Sequence, residues 1–261
     1  MQLEKICAAA LYAVKDTGKY IRHESRHLQS IHIESKGIRD FVTEIDKNSE
    51  KVLVQKLQHI LPDAGFITEE KTVGQTENPL RWVIDPLDGT MNYIHGIPIY
   101  SISVALMYEN EILLGIVYEI NNDEMFFTWK GKPSYMNGNA LHISTCSTLQ
   151  DALVVTGFPY VRENRVGGIT KTLGYFLEHC RDVRRLGSAA VDLCYVAAGR
   201  IDAYYEGYLN VWDIAAGILI VKNAGGIVTD FNGKEDYASG NIIACNKIIY
   251  PEIRKGISFV V

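Results

Sequence analysis

Trp82-Val-Ile-Asp-Pro-Leu-Asp-Gly-Thr-Met-Asn92 is the stretch on which the reading of this chain turns. An apolar strand ends on Asp85, Pro86 fixes the angle at which the backbone leaves it, and Asp88 follows three residues after Asp85. Two carboxylates can therefore converge with the Leu87 carbonyl between them, and clustered hard oxygens suit Mg2+ or Mn2+ rather than zinc. Gly89 permits close backbone approach, and a helix starting at Thr90 would turn its free N–H groups toward an anion beside the metals. One loop can hold both a cation and a phosphate. The alternative is a β-turn in which Asp85 and Asp88 only cap and solvate.

Three other acidic segments flank this one. Phe66-Ile-Thr-Glu-Glu70 is a short apolar run ending on two acids, a pattern that by itself describes a solvated loop. In Asp40-Phe-Val-Thr-Glu-Ile-Asp46, Thr43 and Asp46 have the spacing of a helix capping box. Asn210-Val-Trp-Asp-Ile-Ala-Ala-Gly217 puts Asp213 in the first turn of an apolar helix, where Asn210 and Asp213 again fit a cap and Trp212 fits core or cleft wall.

Around these segments the hydrophobic pattern supplies the organisation. Apolar residues at 3, 6, 7, 10, 11, 14 and 21 trace a helical stripe, and a second helix is predicted from Thr43 through Leu53, Leu57 and Ile60 to a stop at Pro62. From Arg81 to Trp129, β-branched and aromatic runs separated by turn residues predict an antiparallel meander of at least three strands. After Cys146 the periods alternate: a strand at 152–156, helices near 168–180 and 188–198, a strand at 201–206 and a helix at 211–223. That predicts an α+β protein whose second half is a mixed sheet covered by helices. The halves, 1–146 and 147–261, are expected to form one compact unit with its cleft at the seam, the first carrying most of the candidate metal ligands.

Composition narrows the function. With 261 residues, 26 Lys+Arg against 31 Asp+Glu and a net charge of −5, the chain has the wrong sign for a binder of nucleic acid or anionic membranes driven by net charge. The five cysteines, Cys7, Cys146, Cys180, Cys194 and Cys245, show no metal-ligand spacing, which predicts a reducing, cytoplasmic setting. Apolar runs such as Ile214 to Val221 fall far short of the ~20 residues of a membrane span. No signal-peptide pattern surrounds Ile6 to Val14. The seven histidines, His95 included, show no metal spacing either.

Taken together, DxVTxxD, an acid pair about 23 residues later, a strand running into DPLDGTMN and WDIAAG more than 120 residues on resemble the inositol monophosphatase family. Further matching text is Thr156-Gly-Phe-Pro-Tyr160, Arg185-Leu-Gly-Ser-Ala-Ala190, Asp202-Ala-Tyr-Tyr-Glu206 and Asn223-Ala-Gly-Gly226. The resemblance implies a layered α-β-α-β-α sandwich, a homodimer, and Mg2+-dependent, lithium-sensitive hydrolysis of a small phosphate ester. It implies that Glu69, Asp85 and the Leu87 carbonyl hold one Mg2+, that Asp85, Asp88 and Asp213 hold a second, and that a third, weaker ion sits near Glu69. Thr90 and Asp46 would orient and deprotonate the attacking water, the phosphate would meet Gly89 and Thr90, and no phosphoenzyme is implied. The alcohol would meet Asp88, Ser188, Ala189, Glu206 and Asp213.

Thr68, where glycine is common in the family, and Met91, where threonine or another small residue is frequent, are departures expected to touch the approach of Glu69 and the rim of the phosphate pocket. Lys36 reads as a surface lysine. The same metals would serve fructose 1,6-bisphosphate, histidinol phosphate, NADP or 3′-phosphoadenosine phosphate. A non-catalytic regulatory binding protein on the same fold is a further alternative, with Arg181, Arg184 and Arg185 as its basic patch.

Overall fold

The computed structural model describes residues 2–30, 33–37, 40–74, 78–160 and 163–257, without the side chains of 28–30, 33, 35–37, 40 and 41. The side chains of Lys36 and Asp40 therefore lie outside the described residues. Helix α1 (Leu3–Glu24) is followed by the antiparallel strands β1 (Ile33–Gly37) and β2 (Asp40–Thr43), and then by α2 (Glu44–Ile60). Thr43 is the cap of α2 rather than its first turn: its N–H donates to Asp46 Oδ2 at 2.9 Å, completing the box read from the sequence. Cys7, Ala10, Val14 and Ile21 of α1 and Leu53, Val54 and Leu57 of α2 are buried, so both helices turn their apolar stripes inward.

They cover one face of a seven-stranded sheet whose strands lie in chain order: β3 (Gly65–Thr68), β4 (Leu80–Asp88), β5 (Ser101–Tyr108), β6 (Glu111–Glu119), β7 (Glu124–Trp129), β8 (Tyr135–Met136) and β9 (Asn139–Ala140). From β4 onward every pairing is antiparallel, the expected meander, whereas β3 joins its edge in parallel. Strands β5 and β6 are buried almost end to end, because helices lie on both faces of this sheet.

Between β4 and β5 sits a short helix, α3 (Thr90–Ile94). The second half supplies β10 (Leu153–Thr156), α4 (Val166–His179), β11 (Asp182–Arg184), α5 (Ala189–Ala197), β12 (Ala203–Glu206), α6 (Val211–Asn223), β13 (Ile227–Thr229), β14 (Ile242–Cys245) and α7 (Tyr250–Gly256). Its sheet runs β11-β10-β12-β14-β13, parallel at β10 and antiparallel at β14, hence mixed. Helices α5 and α6 fill the space between the two sheets, while α4 and α7 cover the outer face of the smaller one. The order helix, sheet, helix, sheet, helix is the predicted layered sandwich.

Helix α6 packs tightly against the large sheet. A Cβ on Gly115 of β6 would lie 2.6 Å from the Ala216 carbonyl oxygen of α6, so only glycine lets helix and sheet approach this closely. Ile214, Ala215 and Ile218 of α6 share one core with Val83, Ala105, Val117 and Phe126 of the large sheet. All five cysteines are free, and no helix among the described residues is long and apolar enough to cross a membrane.

Candidate active site

The parallel register of β3 against β4 pairs Thr68 with Ile84, so Glu69, the first residue past β3, comes level with Asp85, which is still paired with Ser103 of β5. The Glu69 N–H donates to the Ile84 carbonyl at 3.2 Å, and the two carboxyls hydrogen-bond to each other. The register of β4 against β5 shifts between Asp85 and Asp88, which turns the Pro86-Leu87 segment out of the ladder and returns Asp88 to the same side. Asp213 arrives from the first turn of α6. All four carboxylates line one cavity of about 380 Å3, together with Leu87, Gly89, Thr90, Ala189 and Glu206.

Backbone and side-chain donors position three of these acids. Asp85 Oδ1 accepts the Leu87 N–H at 2.9 Å, and Asp213 Oδ2 accepts the Asn210 N–H at 2.7 Å. Asp88 Oδ2 accepts both the Ser188 hydroxyl at 2.6 Å and the Ala190 N–H at 2.8 Å, at the N-terminus of α5. Ser188 is thus buried behind Asp88 as the cap of α5, while Ala189 stands on the cavity wall. The capping role read for Asn210 and Asp213 and a place in the cavity coexist in one side chain.

The electrostatics of the site are those of acids forced together. Burial, then the charges of Glu69, Asp88 and Asp213, push the Asp85 carboxyl well above the usual range. Asp213 is raised well above it by burial and then by Asp88 and Glu69, and Asp88 is raised by burial against the pull of its Ser188 and Ala190 donors. Among the described residues no group of three His, Cys, Asp or Glu side chains is already arranged to hold a metal ion. Crowded carboxylates of this kind, with only Asp85 fully buried, fit divalent cations, which would replace mutual repulsion with shared attraction.

Thr90 sits beside them. Its Oγ1 lies 3.0 Å from Asp46 Oδ1 and 3.0 Å from the Leu87 carbonyl, while Asp46 Oδ2 is occupied by the cap of α2. Asp46 therefore caps its helix with one oxygen and holds Thr90 with the other. Gly89, at φ +96°, starts α3 in the left-handed region. Met91 is not among the residues lining the cavity.

Glu206, the last residue of β12, also lines the cavity. Buried Tyr204 donates its hydroxyl to Glu206 Oε2 at 2.7 Å, and a Cβ on Gly157 would lie 1.9 Å from that same oxygen. Burial pushes the Glu206 carboxyl up to about 7, against the opposing pull of the Tyr204 hydroxyl and the Arg185 charge.

The model of the inositol monophosphatase family matches residues 2–260. The chain belongs to the inositol monophosphatase family. An inositol-1-monophosphatase of Mesorhizobium japonicum is 35% identical over 247 residues, covering 94% of this chain and 93% of that protein. A protein named Nus factor SuhB, of Escherichia coli strain K12, is 38% identical over 239 residues, covering 91% of this chain and 90% of the other. The crystal structure of the extragenic suppressor protein suhB of Bartonella henselae superposes with a TM-score of 0.92 at 33% identity, covering 99% of both chains.

Within this family member, two features go beyond the sequence reading. Glu50, buried on α2, accepts the Thr68 hydroxyl at 3.0 Å and, at 2.7 Å each, the N–H groups of Glu70 and Thr72 and the Thr72 hydroxyl. It thereby fixes the loop that carries Glu69, and Thr68, a departure by sequence, is one of its donors. The only signal for Glu50 was an acid on the inward face of an amphipathic helix. Of the three arginines read as a basic patch, Arg181 pairs with Asp151 at 2.8 Å and Arg184 with Asp182 at 2.5 Å, both remaining exposed, while Arg185 lines the cavity.

Proposed function

We propose that this chain is a Mg2+-dependent phosphomonoesterase that hydrolyses myo-inositol monophosphates or closely similar sugar and polyol phosphates. The observation that carries the reading is one cavity lined by four crowded carboxylates, Thr90 and Glu206. Glu69, Asp85 and the Leu87 carbonyl would hold one ion, and Asp85, Asp88 and Asp213 a second, with Mn2+ as a substitute and a third, weaker ion near Glu69. When bound, the ions supply a water of lowered pKa and charge stabilisation for an in-line displacement.

The protein's own groups do the positioning. The Thr90 hydroxyl has one proton and two acceptors within reach, Asp46 Oδ1 and the Leu87 carbonyl. When it donates to Asp46, its lone pairs are left to orient the attacking water, and Asp46 behind it accepts the proton. The Gly89 and Thr90 N–H groups receive the phosphate. Glu206, held by Tyr204, accepts a hydroxyl of the alcohol, with Asp88, Ala189 and Asp213 along its path and Ser188 supporting Asp88. The cleft would lie at the seam of the halves 1–146 and 147–261. The protein would act as a homodimer in a reducing cytoplasm, in keeping with its free cysteines.

Phosphate release from inositol 1-phosphate, fructose 1,6-bisphosphate, histidinol phosphate, NADP and 3′-phosphoadenosine phosphate, with Mg2+ and with or without Li+, tests this. Lithium-inhibited turnover of the inositol ester is expected. Brisk turnover of another ester alone would reassign the substrate. The relatives named Nus factor SuhB favour a second reading, a regulatory binding role on the same fold. Asp85→Asn separates the two, since turnover would vanish while a binding partner would be retained.

A further inference from the structure

Tyr208 has a backbone conformation that its side chain does not favour. Its φ is +69°, in the left-handed region where a bulky residue is a genuine outlier. The surrounding loop enforces it. The Leu209 N–H donates to the Gly240 carbonyl at 2.8 Å, and Gly240 is itself left-handed, with no room for a Cβ beside the Leu209 carbonyl. The chain pins this segment between Glu206 and Asp213, two residues of the site.

The strain places an aromatic ring at the cavity. Tyr208 lines the active cavity and also the smaller pocket that adjoins it behind Gly157 and Phe158, so it forms part of the wall between them. The Arg165 guanidinium lies over its ring, 3.6 Å from the centroid, which fixes the ring's tilt by a cation–π contact. Tyr208 nevertheless remains 45% exposed. A large ring is thus held in a costly conformation, braced by a cation and left open to solvent beside Glu206. A structural wall would not need that exposure.

We propose that Tyr208 is a specificity-determining residue whose ring takes the carbon face of a cyclic polyol while Glu206 takes one of its hydroxyls, so that the site prefers ring phosphates to acyclic ones. The inference rests on the phosphatase reading and deepens it. The C–H face of a polyol ring is apolar and matches the face of an aromatic ring, whereas a three-carbon ester has no such face to lay against Tyr208. Contact of this kind acts on binding more than on the chemical step.

The test compares inositol 1-phosphate with glycerol 2-phosphate for the wild type, Tyr208→Asn and Tyr208→Gly. Both replacements accept the left-handed backbone, so folding is retained, as thermal melting would verify. The preference for the ring ester, as a ratio of kcat/KM values, is expected to fall about three- to ten-fold in both variants, chiefly through KM, as the loss of one stacking contact implies. Tyr208→Phe should keep the preference. An unchanged ratio, or an equal loss of kcat on both esters, would overturn the inference while leaving the phosphatase reading in place. If the wild type hydrolysed neither ester, the phosphatase reading would fail and this inference with it.

Discussion

Glu50 accepts the backbone N–H of Glu70 at 2.7 Å, so a buried helix residue holds in place the loop on which a candidate metal ligand stands. Replacing Glu50 by alanine would strand four donors, the hydroxyls of Thr68 and Thr72 and the N–H groups of Glu70 and Thr72. A loss of about 2–4 kcal/mol in urea unfolding is expected. Glu50→Gln, which keeps one acceptor oxygen, should fold but need more Mg2+ for half-maximal turnover. An unaltered Mg2+ dependence in Glu50→Gln would show that the loop does not govern the metal site.

Thr90 and Asp46 should fail together. Thr90→Val removes the hydroxyl and should lower kcat by about 10²–10⁴-fold with little effect on stability, whereas Thr90→Ser should retain most activity. Asp46→Ala should show a comparable kcat loss and in addition cost about 1 kcal/mol through the lost cap of α2. Because both act through one hydrogen bond, the double variant should be little worse than either single one in steady-state assays.

Metal-free Asp85→Asn is expected to be more stable than the metal-free wild type at neutral pH, by about 1–3 kcal/mol, because the wild type must either ionise a buried carboxyl beside three other acids or take up a proton to keep it neutral. In the wild type, Mg2+ should raise the melting temperature, by the equivalent of about 2.7 kcal/mol at a hundred times its Kd. The variant should lose most of that response. Calorimetric melts with and without the ion would sink the site assignment if the two proteins responded alike.

Glu206 gives a pH dependence of defined sign. Its carboxyl is raised from 4.5 to about 7, so the native state holds the proton more tightly than the unfolded chain. The associated stability is fully present below about pH 4.5 and is lost as pH rises through about 7, a change on the order of 3 kcal/mol. Metal-free Glu206→Gln should therefore be more stable than the wild type at pH 8, with the gap shrinking toward pH 5. A gap of constant size across that range would contradict the raised carboxyl.

The acidic motifs were legible because a strand followed by Pro86 and Asp88, and acids three residues past a cap, state their chemistry locally. The meander and the helices α1, α2 and α6 followed from hydrophobic period. The parallel docking of β3 was not legible: its consequence, Glu69 beside Asp85, depends on a register that no single segment encodes. Glu50 looked like an ordinary helix acid because its partners lie 18 to 22 residues away. That Arg185 lines the cavity while Arg181 and Arg184 pair with surface acids was not legible, because neighbours in sequence need not face the same way.

The contact between Gly115 and Ala216 also carries a consequence for synthesis. Strand β6 is complete at Glu119, but the helix that covers its face begins at Val211. At about 5–20 residues per second, the ribosome needs roughly 5–20 s to deliver that helix. During that interval Val83, Ala105 and Val117 lack the α6 residues with which they share a core in the folded protein.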